Sequence, residues 1–192
     1  MINNNKTAIY DELISTNWTT TIDENECSLV QYDESPTYET FIRECLLKNR
    51  PALFTANCGL MNQWLCIDEW LDKDRKKPNF NRLKNLYGHM IVPVTKCSSN
   101  TSDYNSDENK LTMRFDEFVD LWHNSETTTE YYCKDWHLQK MCDQTKSLFY
   151  SVPIYFQSDW LNEKCLVNNE DDFRFVYMGG DGTNTPLHMD VL

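Results

Sequence analysis

Apolar residues recur at helical spacing through most of this chain and alternate at strand spacing toward its end, and this change of period restricts the fold more than any other feature. Tyr38, Phe41, Ile42, Cys45 and Leu46 lie on one helical stripe behind Ser35-Pro36, where a hydroxyl can cap and proline suits the first helical position. The spacing predicts a helix ending near Asn49, because Arg50-Pro51 cannot continue it, and Ala52-Leu53-Phe54 then reads as a short strand. Trp64, Ile67 and Trp70 mark a second helix over Trp64–Leu71. Phe80, Leu83, Leu86 and Tyr87 mark a third, closed by Gly88 in the left-handed conformation that often ends helices. Met90–Val94 is a β-rich run. Thr112 is placed to cap a fourth helix, whose Phe115, Phe118, Val119 and Trp122 share a stripe. Beyond it, Tyr131–Cys133, Ile154–Phe156 and Phe173–Met178 read as strands, with Ser158-Asp159-Trp160 opening a short helical turn. Gly179-Gly180-Asp181-Gly182 makes a turn, and Thr185–Leu192 resumes extended structure. Helices followed by strands predict an α+β chain.

With 192 residues, 40% hydrophobic and 13% aromatic, one sizeable core is expected. The predicted division is a loosely ordered lead-in over residues 1–34, rich in Asn, Thr and acidic side chains, and one domain over 35–192. Ser98–Asn109, nearly all Ser, Asn, Asp and Thr, reads as a surface loop. A formal charge of −12 argues against direct nucleic-acid binding, which needs a Lys/Arg field, and makes a basic protein surface the natural partner. The eight cysteines form no C-x-x-C pair and read as reduced thiols. The first residues lack the apolar region of a secretory signal, and no apolar run approaches a membrane span. The expected location is therefore the cytoplasm or the nucleus, without a membrane.

His188-Met189-Asp190 follows the glycine turn. In a strand, alternate side chains share a face, so the imidazole and carboxylate stand together with Cα atoms roughly 6.5 Å apart. That suits two adjacent positions on one metal and is two-thirds of the 2-His-1-carboxylate face of non-haem Fe(II) oxygenases. Read alone, the triplet fits a structural histidine–carboxylate pair better than a metal site, and only its context reverses that order. His89, His123 and His137 have no comparable partner nearby and read as surface or core histidines.

Phe173–Gly180 followed by Thr185-Pro186-Leu187-His188-Met189-Asp190 resembles the signature of the jumonji-C (JmjC) oxygenases, in which a strand, a glycine turn and T-P-x-H-x-D deliver two iron ligands. Tyr87–Val94, Tyr132–Leu138 and Pro153–Glu163 resemble further segments of the lysyl-hydroxylase group of that family, in the same order. The resemblance implies helices leading into an incomplete double-stranded β-helix, the jelly-roll or cupin-like JmjC barrel. It implies Fe(II) as cofactor and 2-oxoglutarate as cosubstrate, with His188 and Asp190 binding iron. It also implies that Thr185 hydrogen-bonds a 2-oxoglutarate carboxylate, with Tyr132 as a second candidate for that anion. Strict alternation puts Thr185 on the face opposite His188, so its role rests on the resemblance and on a local twist at Pro186. For Tyr132 an ordinary core role is the alternative. The implied activity is lysyl hydroxylation of a protein, translation termination release factor 1, in the cytoplasm.

The family pattern also needs a second histidine and a lysine on later strands, whereas this chain stops two residues after Asp190. The expectation is a truncated form, inactive by itself, in which none of His89, His123 and His137 stands at a spacing that makes it the third ligand. Two other readings remain at this stage: a non-catalytic interaction module built on the aromatic helices, and a JmjC histone lysine demethylase. Neither the oligomeric state nor the regiochemistry is legible in the sequence.

Overall fold

The computed structural model describes residues 29–74, 76–97, 109–124, 126–142 and 149–185. Most of the predicted lead-in, nearly all of the Ser98–Asn109 loop and the extended segment after Thr185 lie outside the described residues. The chain divides into two compact units, one running to Asn62 and including Val152–Ser158, the other comprising Gln63–Ser151 and Asp159 onward.

In the first unit, strand β1 (Val30–Tyr32) pairs in parallel with β2 (Ala52–Phe54), so part of the stretch read as lead-in belongs to a sheet. Helix α1 (Tyr38–Phe41) widens into a π-helical turn at Ile42–Leu46. Its cap is Thr37, whose hydroxyl accepts from the Thr40 amide at 3.1 Å, while Ser35 donates to the Cys58 carbonyl at 2.8 Å. Glu39–Arg43 and Glu44–Lys48 brace the exposed side as i,i+4 pairs. Phe41, Cys45 and Tyr155 form the core, with the Phe54 ring 5.7 Å from Phe41 and 5.0 Å from Tyr155. Ile154–Phe156 is a 3₁₀ turn and not the predicted strand. A single turn buries Tyr155 and leaves its two neighbours half exposed, which is the alternation a strand would show, and among the described residues no strand pairs with it. The Tyr155 hydroxyl donates to the Pro36 carbonyl at 2.6 Å and fixes the turn.

The second unit is built on a four-stranded antiparallel sheet of β3 (Ile91–Lys96), β4 (Lys110–Arg114), β5 (Tyr131–Trp136) and β6 (Val176–Gly179), ordered β4-β3-β5-β6. Helix α2 (Leu65–Glu69) is shorter than predicted, and its flanking Trp64 donates to the Ser151 carbonyl at 2.9 Å. Asn79 caps α3 (Phe80–Tyr87) through the Arg82 amide. Gly88 ends α3 with φ −52°, not in the predicted left-handed region. Its missing side chain serves close approach: a Cβ there would lie 2.5 Å from the Lys84 carbonyl oxygen and 3.2 Å from Asp116 Cβ, where the next helix begins.

Helix α4 (Phe115–His123) also starts later than expected. Thr112 sits inside β4, because β3 requires a hydrogen-bonded neighbour and the register Val92↔Met113, Val94↔Leu111 sets Met113 and Leu111 on the same face as the core valines. Arg114 takes the capping position, its amide donating to Glu117 at 3.2 Å. Val92, Val94, Cys133 and Met178 point to one sheet face, where Phe115, Phe118 and Val119 of α4 meet Leu83, Tyr87 and Trp136. Helix α5 (Leu138–Met141) inserts Leu138 into the same core. The turn predicted at Ser158–Trp160 extends to a nine-residue helix, α6 (Trp160–Asn168), capped by Asp159. Buried Asn162 holds the chain after it, accepting from the Phe173 amide at 2.7 Å. No described helix is long and apolar enough to cross a membrane.

Burial has a chemical consequence for Cys133: loss of water and the nearby Asp135 carboxylate push its thiol up to about 12. The thiolate is the alkylating nucleophile, so Cys133 is expected to resist iodoacetamide at pH 8 in the folded chain and to react once urea unfolds it. Peptide mapping before and after urea checks this, and rapid native labelling would show that the β5 environment is open.

Candidate active site

Of the residues singled out from the sequence, Tyr132 lies on β5, which pairs with β6, and Thr185 follows the turn after β6. The ladder runs Tyr132↔Gly179, Cys133↔Met178 and Trp136↔Val176, so β5 contains one more residue than β6 between its last two pairs. This is a β-bulge, with Asp135 in the left-handed region at φ 59°. The bulge lets Cys133 and Trp136 both enter the core although they are three positions apart. β6 begins at Val176 and not at Phe173, because its partner Trp136 is the last residue of β5 and the chain turns into α5 at Leu138. Before Val176 the chain leaves the ladder and runs to α5, where His137 Nδ1 stands 3.0 Å from Asp172 Oδ1 and Lys140 pairs with Asp171.

Tyr132 lies on the sheet face opposite the core, between Thr95 of β3 and Gly179 of β6. It is half-buried and outside the core cluster, whereas Tyr131 beside it packs against that cluster. The Tyr177 ring lies 6.0 Å from the Tyr132 ring at 47°. Gly179 makes this arrangement possible: a Cβ there would lie 2.8 Å from Tyr132 Cδ2 and 2.6 Å from Thr183 Oγ1. Both the amide and the hydroxyl of Thr183 donate to the Gly180 carbonyl, at 3.2 Å and 2.8 Å, and close the turn that leads to Thr185.

Thr185 is the last described residue and is exposed, while His188 and Asp190 lie outside the described residues. The structure thus brings Tyr132 and the turn preceding Thr185 onto one strand pair. The other histidines are engaged elsewhere or stand apart: His123 stacks on Phe80 at 4.4 Å, His137 pairs with Asp172 and meets Phe175 edge-on, and His89 is exposed. Among the described residues no three His, Cys, Asp or Glu side chains converge on a metal position. Sequence reasoning missed Tyr177 and Asp135, whose hydroxyl–carboxylate hydrogen bond spans 2.7 Å, since a bulge leaves no mark in an apolar pattern.

The profile of the cupin-like domain matches residues 38–192. The chain belongs to the cupin-like family. Its antiparallel sheet, preceded by helices, is part of the jelly-roll such a cupin-like chain builds, and the α+β prediction holds. Among its relatives, "2-oxoglutarate and iron-dependent oxygenase JMJD4" of Danio rerio is 35% identical over 179 residues, covering 88% of this chain and 40% of that protein. The protein of the same name in Gallus gallus is 37% identical over 164 residues, covering 82% and 37%. "Arginine-specific demethylase JMJ20" of Arabidopsis thaliana is 31% identical over 172 residues, covering 81% and 35%. This cupin-like chain therefore spans about 40% of the length of the relatives it matches first. The JmjC resemblance seen in the motifs is shared along most of the chain.

The residue types of the candidate site fit the two groups that the names of the Danio rerio and Gallus gallus relatives mention. An imidazole and a carboxylate spaced as in H-x-D suit ferrous ion, and the hydroxyls of Tyr132 and Thr185 are neutral donors suited to a carboxylate. Tyr132 in particular presents its phenol on the face that the apolar core leaves free.

Proposed function

We propose that the protein carrying this chain is a 2-oxoglutarate- and Fe(II)-dependent protein hydroxylase, in which His188 and Asp190 bind iron and Thr185 and Tyr132 hold 2-oxoglutarate. The observation that carries this reading is the setting of Tyr132, on the non-core face against Gly179, on the strand pair that runs directly into Thr185-Pro186-Leu187-His188-Met189-Asp190. Bound iron and 2-oxoglutarate would supply the oxidising equivalent that inserts one oxygen atom of O₂ into a C–H bond, the keto acid leaving as succinate and CO₂. His188 would offer a neutral imidazole lone pair, and the Asp190 carboxylate would offset one of the two metal charges. Tyr132 and Thr185 would orient the keto acid by hydrogen bonds to its carboxylate and hold it still.

The substrate proposed is a lysyl side chain of translation termination release factor 1. Its support is the resemblance of Tyr87–Val94, Tyr132–Leu138 and Pro153–Glu163 to the lysyl-hydroxylase group, together with a formal charge of −12 that favours a basic target surface. A cytoplasmic location follows from that substrate. A metal face of three protein donors needs one more than His188 and Asp190, and the described histidines do not provide it, so the 192 residues alone are expected to give no turnover.

Incubating the full-length protein with Fe(II), 2-oxoglutarate, O₂ and release factor 1 is expected to give succinate and a mass gain of one oxygen on a lysyl peptide. Loss of methyl groups from an arginine-methylated peptide in place of that gain would move the substrate to the chemistry named for the Arabidopsis relative. No consumption of 2-oxoglutarate with either substrate would remove the oxygenase reading.

A further inference from the structure

We infer that Asp135 is a positioning residue for 2-oxoglutarate, acting through Tyr177 on Tyr132; the inference rests on the oxygenase reading above. Asp135 belongs to the bulge of β5, where Lys134 and Asp135 together face Tyr177. Its φ of 59° is one that few L residues adopt, and aspartate is among those that do so with least strain. In this conformation its carboxylate leaves the strict alternation of the strand and accepts a 2.7 Å hydrogen bond from the Tyr177 hydroxyl.

Tyr177 is 43% exposed, and the Phe175 ring meets it edge-on at 6.3 Å. The hydrogen bond to Asp135 adds a directional restraint at the hydroxyl end, and the ring so oriented stands 6.0 Å from that of Tyr132. Tyr132 has no side chain opposite it on β6, because its partner there is Gly179. The Tyr177 ring is therefore the wall that β6 offers to the Tyr132 phenol. A hydrogen bond from Tyr132 to a carboxylate depends on angle as well as distance, so a loosened wall weakens binding of the keto acid while His188 and Asp190 are untouched.

The test uses the full-length protein loaded with Fe(II), with 2-oxoglutarate as the probe. Tyr177→Phe, which keeps the ring and drops the hydroxyl, is expected to weaken equilibrium binding of 2-oxoglutarate, titrated anaerobically without protein substrate, roughly fivefold, and to raise its KM equally with kcat little changed. Asp135→Gly, which accepts the left-handed backbone but lacks the carboxylate, should raise it equally. The double variant should be no worse than either single one, because both remove the same contact. Asp135→Asn retains an acceptor and tolerance of the bulge, and should restore most of the binding. Melting curves close to wild type in all four variants show that the fold is intact. A KM unchanged in Tyr177→Phe, effects of the two single variants that simply add, or a change confined to melting would each overturn the positioning role and leave the oxygenase reading standing. Failure of the wild-type protein itself to bind 2-oxoglutarate would overturn both.

Discussion

Full-length protein carrying His188→Ala together with Asp190→Ala is expected to lose tight iron binding and to form succinate at least roughly a thousandfold more slowly than wild type. The expectation follows from the donor count. If three protein side chains hold the ion, the double variant leaves one, and a single side chain does not compete with water for ferrous ion. Asp190→Glu retains the charge but lengthens the arm, so it should fall between wild type and the double variant. Anaerobic loading with Fe(II), removal of free metal and assay of bound iron give the first readout, and succinate formation the second. Iron retained in full by the double variant would place the metal elsewhere and end the assignment of the H-x-D triplet.

Phe118→Ala is expected to destabilise the folded chain by about 3–5 kcal/mol. Phe118 is fully buried where α4 crosses the sheet, with ring centroids 6.0 Å from Phe115 and 5.8 Å from Trp122. Truncation removes both its apolar transfer energy and the contacts of its neighbours, and the surrounding sheet and helices cannot close on the void. Domains commonly have about 5–15 kcal/mol in total, so this single change consumes a large share of the stability. The urea midpoint followed by tryptophan fluorescence measures it. Val167→Ala is the control: that side chain is 85% exposed, and a change within about 0.5 kcal/mol is expected. A loss below about 1 kcal/mol for Phe118→Ala would mean that α4 is not anchored as described.

The elements that the apolar period predicts well are those whose buried stripe is long. Phe80, Leu83 and Tyr87, or Phe115, Phe118 and Val119, could face a core in one way only, and the corresponding helices α3 and α4 formed close to their predicted places. The misplaced elements share a physical origin. Thr112 resembles a helix cap, yet the demand of β3 for a hydrogen-bonded edge draws Lys110–Arg114 into a strand. Ile154–Phe156 alternates like a strand, yet a 3₁₀ turn buries the same central residue. Gly88 stands where a left-handed cap is common, yet it is required because α4 begins against its Cα. Each was decided by a neighbour distant in sequence.

The same division runs through the site. From the sequence came the expectation that His188 and Asp190, two apart in one extended segment, pair on a metal, and, through the JmjC resemblance, that Thr185 and Tyr132 meet an anion, because ligand type and spacing are local properties. Only the folded sheet decided that Tyr132 stands on the non-core face against Gly179, that β5 bulges at Asp135 and that Tyr177 is tied to it. Register and bulges arise from hydrogen bonding between strands that lie about 40 positions apart in the chain, and no local pattern encodes which residue ends up opposite which.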